Sequence, residues 1–363
     1  MKIVFDSSVL TLTKGGTAVY VRELLHALQT SGDNNIYESV RPQQFSSGLV
    51  LAKSLNTLYR ELIWQQIGLP RRAASNKADL IHFPAGYAPV KCPIPYVLTV
   101  HDLYTVRNPM AFRKWHAMFL NRLLPIVIKN SERVIAVSEF TKEEIIRIYN
   151  VNPNKIKVIY NGVSDRFRLG RDADSLQRVR TKYHLPPRFI LYVGAVEPRK
   201  NLGILLKAFE AIRVAFPLKL VIVSFGGWRN DGFYKLIREL KVADDIHLIG
   251  YVDDADLPIV YKLADLFVYP SKYEGFGLPI LEAMASGCPV VASDIPVARE
   301  LLGSSGVLFD PDRVDDLVES LKEMLSSQEL TRNYRRMVAE RSRMFNWRIS
   351  AQMTRQCYAE IVS

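Results

Sequence analysis

The feature that most constrains the fold is an alternation that runs twice along the chain. Short apolar runs of strand length are followed by longer segments with helical apolar spacing, first over residues 1–163 and again from 189 onward. Strands alternating with helices predict βαβ units on parallel sheets, because each parallel pair needs a crossover. The first series is KIVF (2–5), DLIHFP (79–84), YVLTVHDL (96–103), RVIAVS (133–138) and KIKVIYNGV (155–163). The second is FILYVGA (189–195), LKLVIVSFG (218–226), IHLIGYV (246–252), DLFVYPS (265–271) and CPVVASD (288–294). After KGGT (14–17), Val21, Leu24, Leu25 and Leu28 share one helical face. Further helices are expected near 202–213, 231–240, 255–263, 278–286, 313–326 and 329–344.

Between the two series, SDRFRLGRDADSLQ loses apolar periodicity and gains charge and glycine, as a linker does. The 363 residues suffice for two domains of ordinary size. The expected class is α/β, with two Rossmann-like domains at 1–168 and 169–344. A terminal helix at 345–363 is expected to pack back on the first. No apolar run reaches the roughly 18 residues of a membrane span, and Asp6 interrupts the first run too early for a signal peptide. Cys92, Cys288 and Cys357 show no metal or redox spacing. A cytoplasmic chain with free thiols is the expectation.

The net charge of +11 is uneven: residues 1–166 hold 21 Lys and Arg against 12 Asp and Glu. A basic half favours a polyanion, an anionic membrane face or a phosphate-bearing substrate; simple solubility explains it as well. No nucleic-acid partner is expected, since no helix-turn-helix, zinc or RNA-binding signature is present.

Ligands of open parallel sheets bind beyond the carboxyl ends of the strands, so polar residues just after strands carry the functional reading. Gly15 and Gly16 precede the first long helix, where glycine admits close approach and free amides attract an anion; a plain turn accounts for the pair equally. His101 and Asp102 end YVLTV. Such a histidine can bond a sugar hydroxyl, act as acid or base, or be held by backbone. In Glu197-Pro-Arg-Lys-Asn201, Arg199 offers a fork for phosphate oxygens and Lys200 a mobile point charge. Together they suit a diphosphate leaving group; a solvated loop is the plainer alternative. YEGFGLPILEAMASG (273–287) opens a helix at Pro279. Amides around Phe276, Gly277 and Leu278 form a phosphate site there, with carboxylates at Glu274 and Glu282 as acceptors for sugar and ribose hydroxyls.

EGFGLPILEAMASGCPVVAS, with Glu-x7-Glu spacing, resembles the signature of glycosyltransferase family 4, retaining enzymes of the GT-B fold. KGGTAVYVREL, TVHDL, AVSEFTKEEI, VIYNGV, VGAVEPRKNL and LIGYV follow the family's order along nearly the whole chain. EPRKN resembles a subgroup of bacterial enzymes that build surface polysaccharides. The resemblance implies two domains across a cleft, Arg199 and Lys200 on the diphosphate, and Glu282 on the ribose. It implies Glu274, Phe276, Gly277 and Leu278 on the transferred sugar and its phosphate. Gly15 and Gly16 would close over the phosphates, His101 would meet the sugar near its 6-hydroxyl, and the base would pack beside Tyr251 and Val252. Ala195 stands where many family members carry Arg, a charge Arg199 could replace.

The expected reaction is transfer of a hexose, glucose or mannose, with retained configuration. The donor is a UDP-hexose ahead of a GDP-hexose, and the acceptor a saccharide or lipid-diphosphate-linked glycan. No carboxylate is placed as a nucleophile, so a same-face path is expected, with the leaving phosphate taking the acceptor's proton. Asp-x-Asp strings at Asp172, Asp254 and Asp310 read as solvated or capping, and neither metal nor cofactor is expected. Arg107, Arg113, Lys114 and Trp115 mix cations with aromatics and are candidates for the acceptor carrier or the inner face of the membrane. A sugar-nucleotide epimerase of the same fold and a non-catalytic sugar-nucleotide binder are the alternatives.

Overall fold

The computed structural model describes residues 1–13, 15–42, 56–112, 114–170, 172–224 and 231–362. The chain forms two compact units, Met1–Gly162 with Asn346–Ser363, and Val163–Phe345. The boundary expected at 168 therefore lies inside the second unit.

In the first unit six parallel strands form one sheet: β1 (Lys2–Asp6), β2 (Ile36–Val40), β3 (Leu80–Phe83), β4 (Tyr96–Val100), β5 (Arg133–Ala136) and β6 (Ile156–Val158). Their order is β2-β1-β3-β4-β5-β6. The chain runs from β1 to one edge and then restarts on the other side of β1, so the order reverses between β1 and β3. One face of the sheet, with Ile3, Phe5, Leu80, Val97 and Ile135, is covered by the helices Gly16–Gln29 and Trp347–Val362. Val21, Leu24, Leu25 and Leu28 supply the buried stripe of the first of these, as their spacing predicts. The opposite face, with Val4, Ile81, Phe83, Leu98 and Val134, packs on Leu123, Leu124, Val127 and Ile128 of the helix Lys114–Asn130.

The second unit repeats the layering: β7 (Phe189–Val193), β8 (Lys219–Val223), β9 (Ile246–Ile249), β10 (Leu266–Tyr269), β11 (Val290–Ser293) and β12 (Val307–Phe309). The order β12-β11-β10-β7-β8-β9 is the doubly wound arrangement, with its switch point between β7 and β10. The central strands β7, β8 and β10 are almost wholly buried, which is why they read as continuous apolar runs. Among the described residues no helix is long and apolar enough to cross a membrane. The three cysteines are free thiols.

Candidate active site

The switch point of the second unit decides which residues meet. β7 and β10 are neighbours although the whole β8 and β9 excursion separates them in sequence. The loops leaving their carboxyl ends therefore come together. The first carries the short 3-10 turn Pro198–Lys200 and Asn201, which takes a left-handed conformation before the helix Leu202–Ile212. The second carries Tyr273 to Gly277.

Glu274 is the centre of the cluster. Lys200 Nζ lies 2.6 Å from its Oε1 and Arg199 Nη1 lies 2.8 Å from its Oε2. Glu274 and Lys200 are each only 8% exposed. Burial alone would raise the Glu274 carboxyl, but Lys200 and Arg199 outweigh it and bring it down to about 2. Burial pulls the Lys200 ammonium below its ordinary value against the pull of Glu274. Lys200 also reaches the Tyr269 hydroxyl at 3.4 Å and sits over that ring. Arg199 is further held by Glu197 at 3.1 Å and donates to the Tyr273 carbonyl. Two cations thus share one carboxylate in a nearly dry place, an arrangement that is weak as a stabilising device and strong as a charged binding surface. The sequence reading paired these cations with a phosphate and gave Glu274 to sugar hydroxyls. The structure places a cation on each of its oxygens.

The helix Leu278–Ala285 starts directly after this loop. Gly277, its cap, has φ 99, and Pro279 occupies the first turn. The amides of Gly277 and Leu278 donate to no protein acceptor among the described residues, as an anion-binding helix start requires. Phe276 is buried and edges onto Phe345. Glu282, one turn in, accepts from the Tyr261 hydroxyl at 3.1 Å. Tyr251 is 47% exposed, whereas Val252 is 1% exposed. The Tyr251 ring is thus open to solvent, and the Val252 side chain packs inward.

Tyr192, Tyr261 and Tyr269 were missed by the sequence reading. Burial, followed by the neighbouring carboxylates, holds all three hydroxyls protonated. A tyrosine buried on a strand, as Tyr192 and Tyr269 are, or on the apolar helix Leu257–Leu263, as Tyr261 is, needs a polar partner for its hydroxyl, and that was the available signal.

In the first unit, Gly15 caps the helix Gly16–Gln29 and donates to Thr13 Oγ1 at 3.0 Å. His101 follows β4, and its Nε2–H donates to the Pro84 carbonyl at 2.7 Å. Burial lowers its pKa against the opposing influence of Pro84 and Asp102. Arg107 is not a free surface cation: its Nε lies 2.6 Å from buried Glu144. Lys114 is exposed, Arg113 lies outside the described residues, and so does the Trp115 side chain. Asp172 accepts from Ser175 N at 2.7 Å and caps the helix Ala173–Lys182, and Asp310 accepts from Asp312 N in a turn.

The family match joins this geometry. Glycosyltransferase Family 4 matches residues 14–167 and Glycosyl transferases group 1 matches residues 176–342. An O-antigen chain mannosyltransferase B of Escherichia coli is 32% identical over 298 residues, 80% of this chain and 77% of that protein. The chain belongs to glycosyltransferase family 4. A serotype-specific mannosyltransferase of Escherichia coli is 26% identical over 293 residues, 78% of this chain but only 35% of that longer protein. The structure of HepE from Anabaena in complex with UDP and glucose superimposes with a TM-score of 0.77 at 19% identity, covering 99% of this chain and 100% of that one. The architecture of this glycosyltransferase is accordingly GT-B, and its general activity is glycosyl transfer.

Proposed function

We propose that the glycosyltransferase moves a hexose, with retained configuration, from a nucleoside diphosphate sugar to a growing or lipid-linked polysaccharide. The observation that carries this reading is the convergence of Arg199, Lys200 and the amides of Gly277 and Leu278 at one switch point. That set suits a diphosphate on which charge accumulates as the glycosidic bond breaks. Glu282 is assigned to the ribose, Glu274 to the sugar and to the poise of the two cations, and Tyr251 to the base. Gly15, Gly16 and His101 are assigned to the phosphates and the sugar. The leaving phosphate accepts the acceptor's proton on the face where the new bond forms.

Two named relatives are mannosyltransferases of O-antigen or serotype-specific type, and the HepE structure holds UDP and glucose. Mannose and glucose are therefore the first sugars to test, with GDP and UDP as carriers. Side-chain cations stand at the proposed phosphate site, so the reaction is proposed to need no metal. The deciding experiment incubates the protein with UDP-glucose and GDP-mannose in EDTA, with and without a lipid-linked glycan. Acceptor-dependent release of nucleotide supports the proposal. Donor conversion without nucleotide release would point to epimerisation, and restoration by manganese alone would remove the metal-free reading.

Peripheral contact with an anionic membrane is proposed for the helix Lys114–Asn130, where exposed Met118 and Ile126 lie beside exposed Lys114, Arg122 and Lys129. Sedimentation with anionic but not zwitterionic vesicles, lost at high salt, is the expected result.

A further inference from the structure

Two polar side chains sit on the apolar face of the first sheet. His82 on β3 and Thr99 on β4 point among Ile3, Phe5, Leu80 and Val97, under the helices Gly16–Gln29 and Trp347–Val362. Each helix sends down one tyrosine to meet them. The Tyr358 hydroxyl is 2.6 Å from His82 Nδ1, His82 Nε2 is 2.7 Å from Thr99 Oγ1, and Thr99 Oγ1 is 3.0 Å from the Tyr20 hydroxyl. Tyr358, His82 and Thr99 are fully buried and Tyr20 nearly so.

The four groups carry one exchangeable proton each and share three bonds. Burial pushes the His82 pKa down to about 3, which keeps the ring neutral with a single proton. Either Tyr358 donates to His82 Nδ1 and the His82 Nε2–H donates to Thr99, or Tyr20 donates to Thr99, Thr99 to Nε2 and the Nδ1–H to Tyr358. In both arrangements an unbroken run of hydrogen bonds links the terminal helix to the carboxyl end of β4.

His101 stands at that end. The Tyr20 ring meets the His101 ring edge to face, 4.8 Å between centroids at 85°. The Pro84 carbonyl fixes the Nε2–H of His101, which leaves Nδ1 as a bare acceptor. Phe, Val and Leu of similar size would fill the same volume with no polar groups to satisfy, so stability alone does not call for this chain. A buried run of hydrogen bonds instead holds its members in one geometry.

We propose that Tyr358, His82, Thr99 and Tyr20 form a positioning relay through which the helix Trp347–Val362 fixes the ring of His101. The inference rests on the reading of His101 as a residue that meets the donor sugar. These four side chains touch no substrate; they set the orientation in which His101 Nδ1 is presented.

The test compares Thr99→Val, Thr99→Ser and Tyr358→Phe in the full chain, measuring kcat for transfer and Kd for UDP and GDP. Thr99→Val and Tyr358→Phe should lose roughly ten- to hundredfold in kcat, as expected for a small misplacement of a reacting group. Their affinity for the free nucleotide, which has no sugar for His101 to meet, should be unchanged. Thr99→Ser keeps the hydroxyl and should restore turnover. Folded Thr99→Val with wild-type kcat, or with nucleotide affinity lost in step with kcat, overturns the relay. Imidazole 15N shifts of the wild-type protein read the same relay without any variant. A single tautomer at His82 and the Nε2–H tautomer at His101 support it, and mixed tautomers at His82 overturn it. Wild-type turnover in His101→Ala overturns the role given to His101, an outcome distinct from loss of the tautomers.

Discussion

Glu274 shows how one residue can be pulled two ways. Burial disfavours its charge, and two cations within 2.8 Å more than reverse this. Removing Lys200 takes a buried charge from the proposed leaving-group site; Lys200→Ala should lower kcat by roughly a hundredfold or more, about 3 kcal/mol of barrier. Steady-state assay of that variant checks it, and wild-type turnover would end the role given to Lys200. Glu274 has a stability signature of its own. Its folded pKa, about 2, lies below the ordinary 4.5, so its ion pairs contribute fully above about pH 4.5 and the contribution fades as pH falls toward 2. Urea unfolding of wild type and Glu274→Gln should therefore differ most at neutral pH and converge in acid. The chemical types at this site were legible in EPRKN and YEGFG. That Glu274 grips Arg199 and Lys200 was not, because the contact depends on which strands are neighbours, and no local pattern encodes that. That Val252 turns inward while Tyr251 stays exposed was not legible for a related reason: adjacency says nothing about which side chain is buried.

At the scale of elements, the central strands and the edge strands β6 and β9 were legible, and the edge strands β2 and β12 were not. β7, β8 and β10 are buried on both faces and read as unbroken apolar runs. β2 and β12 close the far ends of the two sheets. IYESV in β2 mixes exposed Ile36 and half-buried Glu38 with buried Tyr37 and Val40, and β12 is three residues long, so neither shows the signal of a buried strand. The helix Leu278–Ala285 was foreseen from its proline and glycines. Gly277 matters there for its torsion, since φ 99 is a conformation that side-chain-bearing residues rarely adopt, while an added Cβ would meet only ordinary contacts of 3.4 Å and beyond. Gly277→Ala should lower stability by about 1–2 kcal/mol and weaken nucleotide-sugar binding by disturbing the helix start. Thermal melting with and without donor measures both effects.

At the scale of the whole molecule, the first unit is discontinuous in sequence. Its covering helix Trp347–Val362 buries Trp347, Ala351, Cys357 and Tyr358 against the sheet. At about 1.5–3 kcal/mol per large buried side chain, its removal should consume most of the roughly 5–15 kcal/mol of stability a domain possesses. Residues 163–345 expressed alone should melt cooperatively. Residues 1–162 should do so only when a peptide spanning 346–363 is added, which calorimetry of the separate pieces would show. Where the chain leaves and re-enters this unit the packing is tight: a Cβ on Gly162 would lie 2.2 Å from Trp347 N. During synthesis, then, the amino-terminal sheet emerges from the ribosome with one face only partly covered, by the helix Gly16–Gln29, and stays so until the entire second unit has been translated, which makes that interval the period when the nascent protein is most exposed to chaperones and to misassembly.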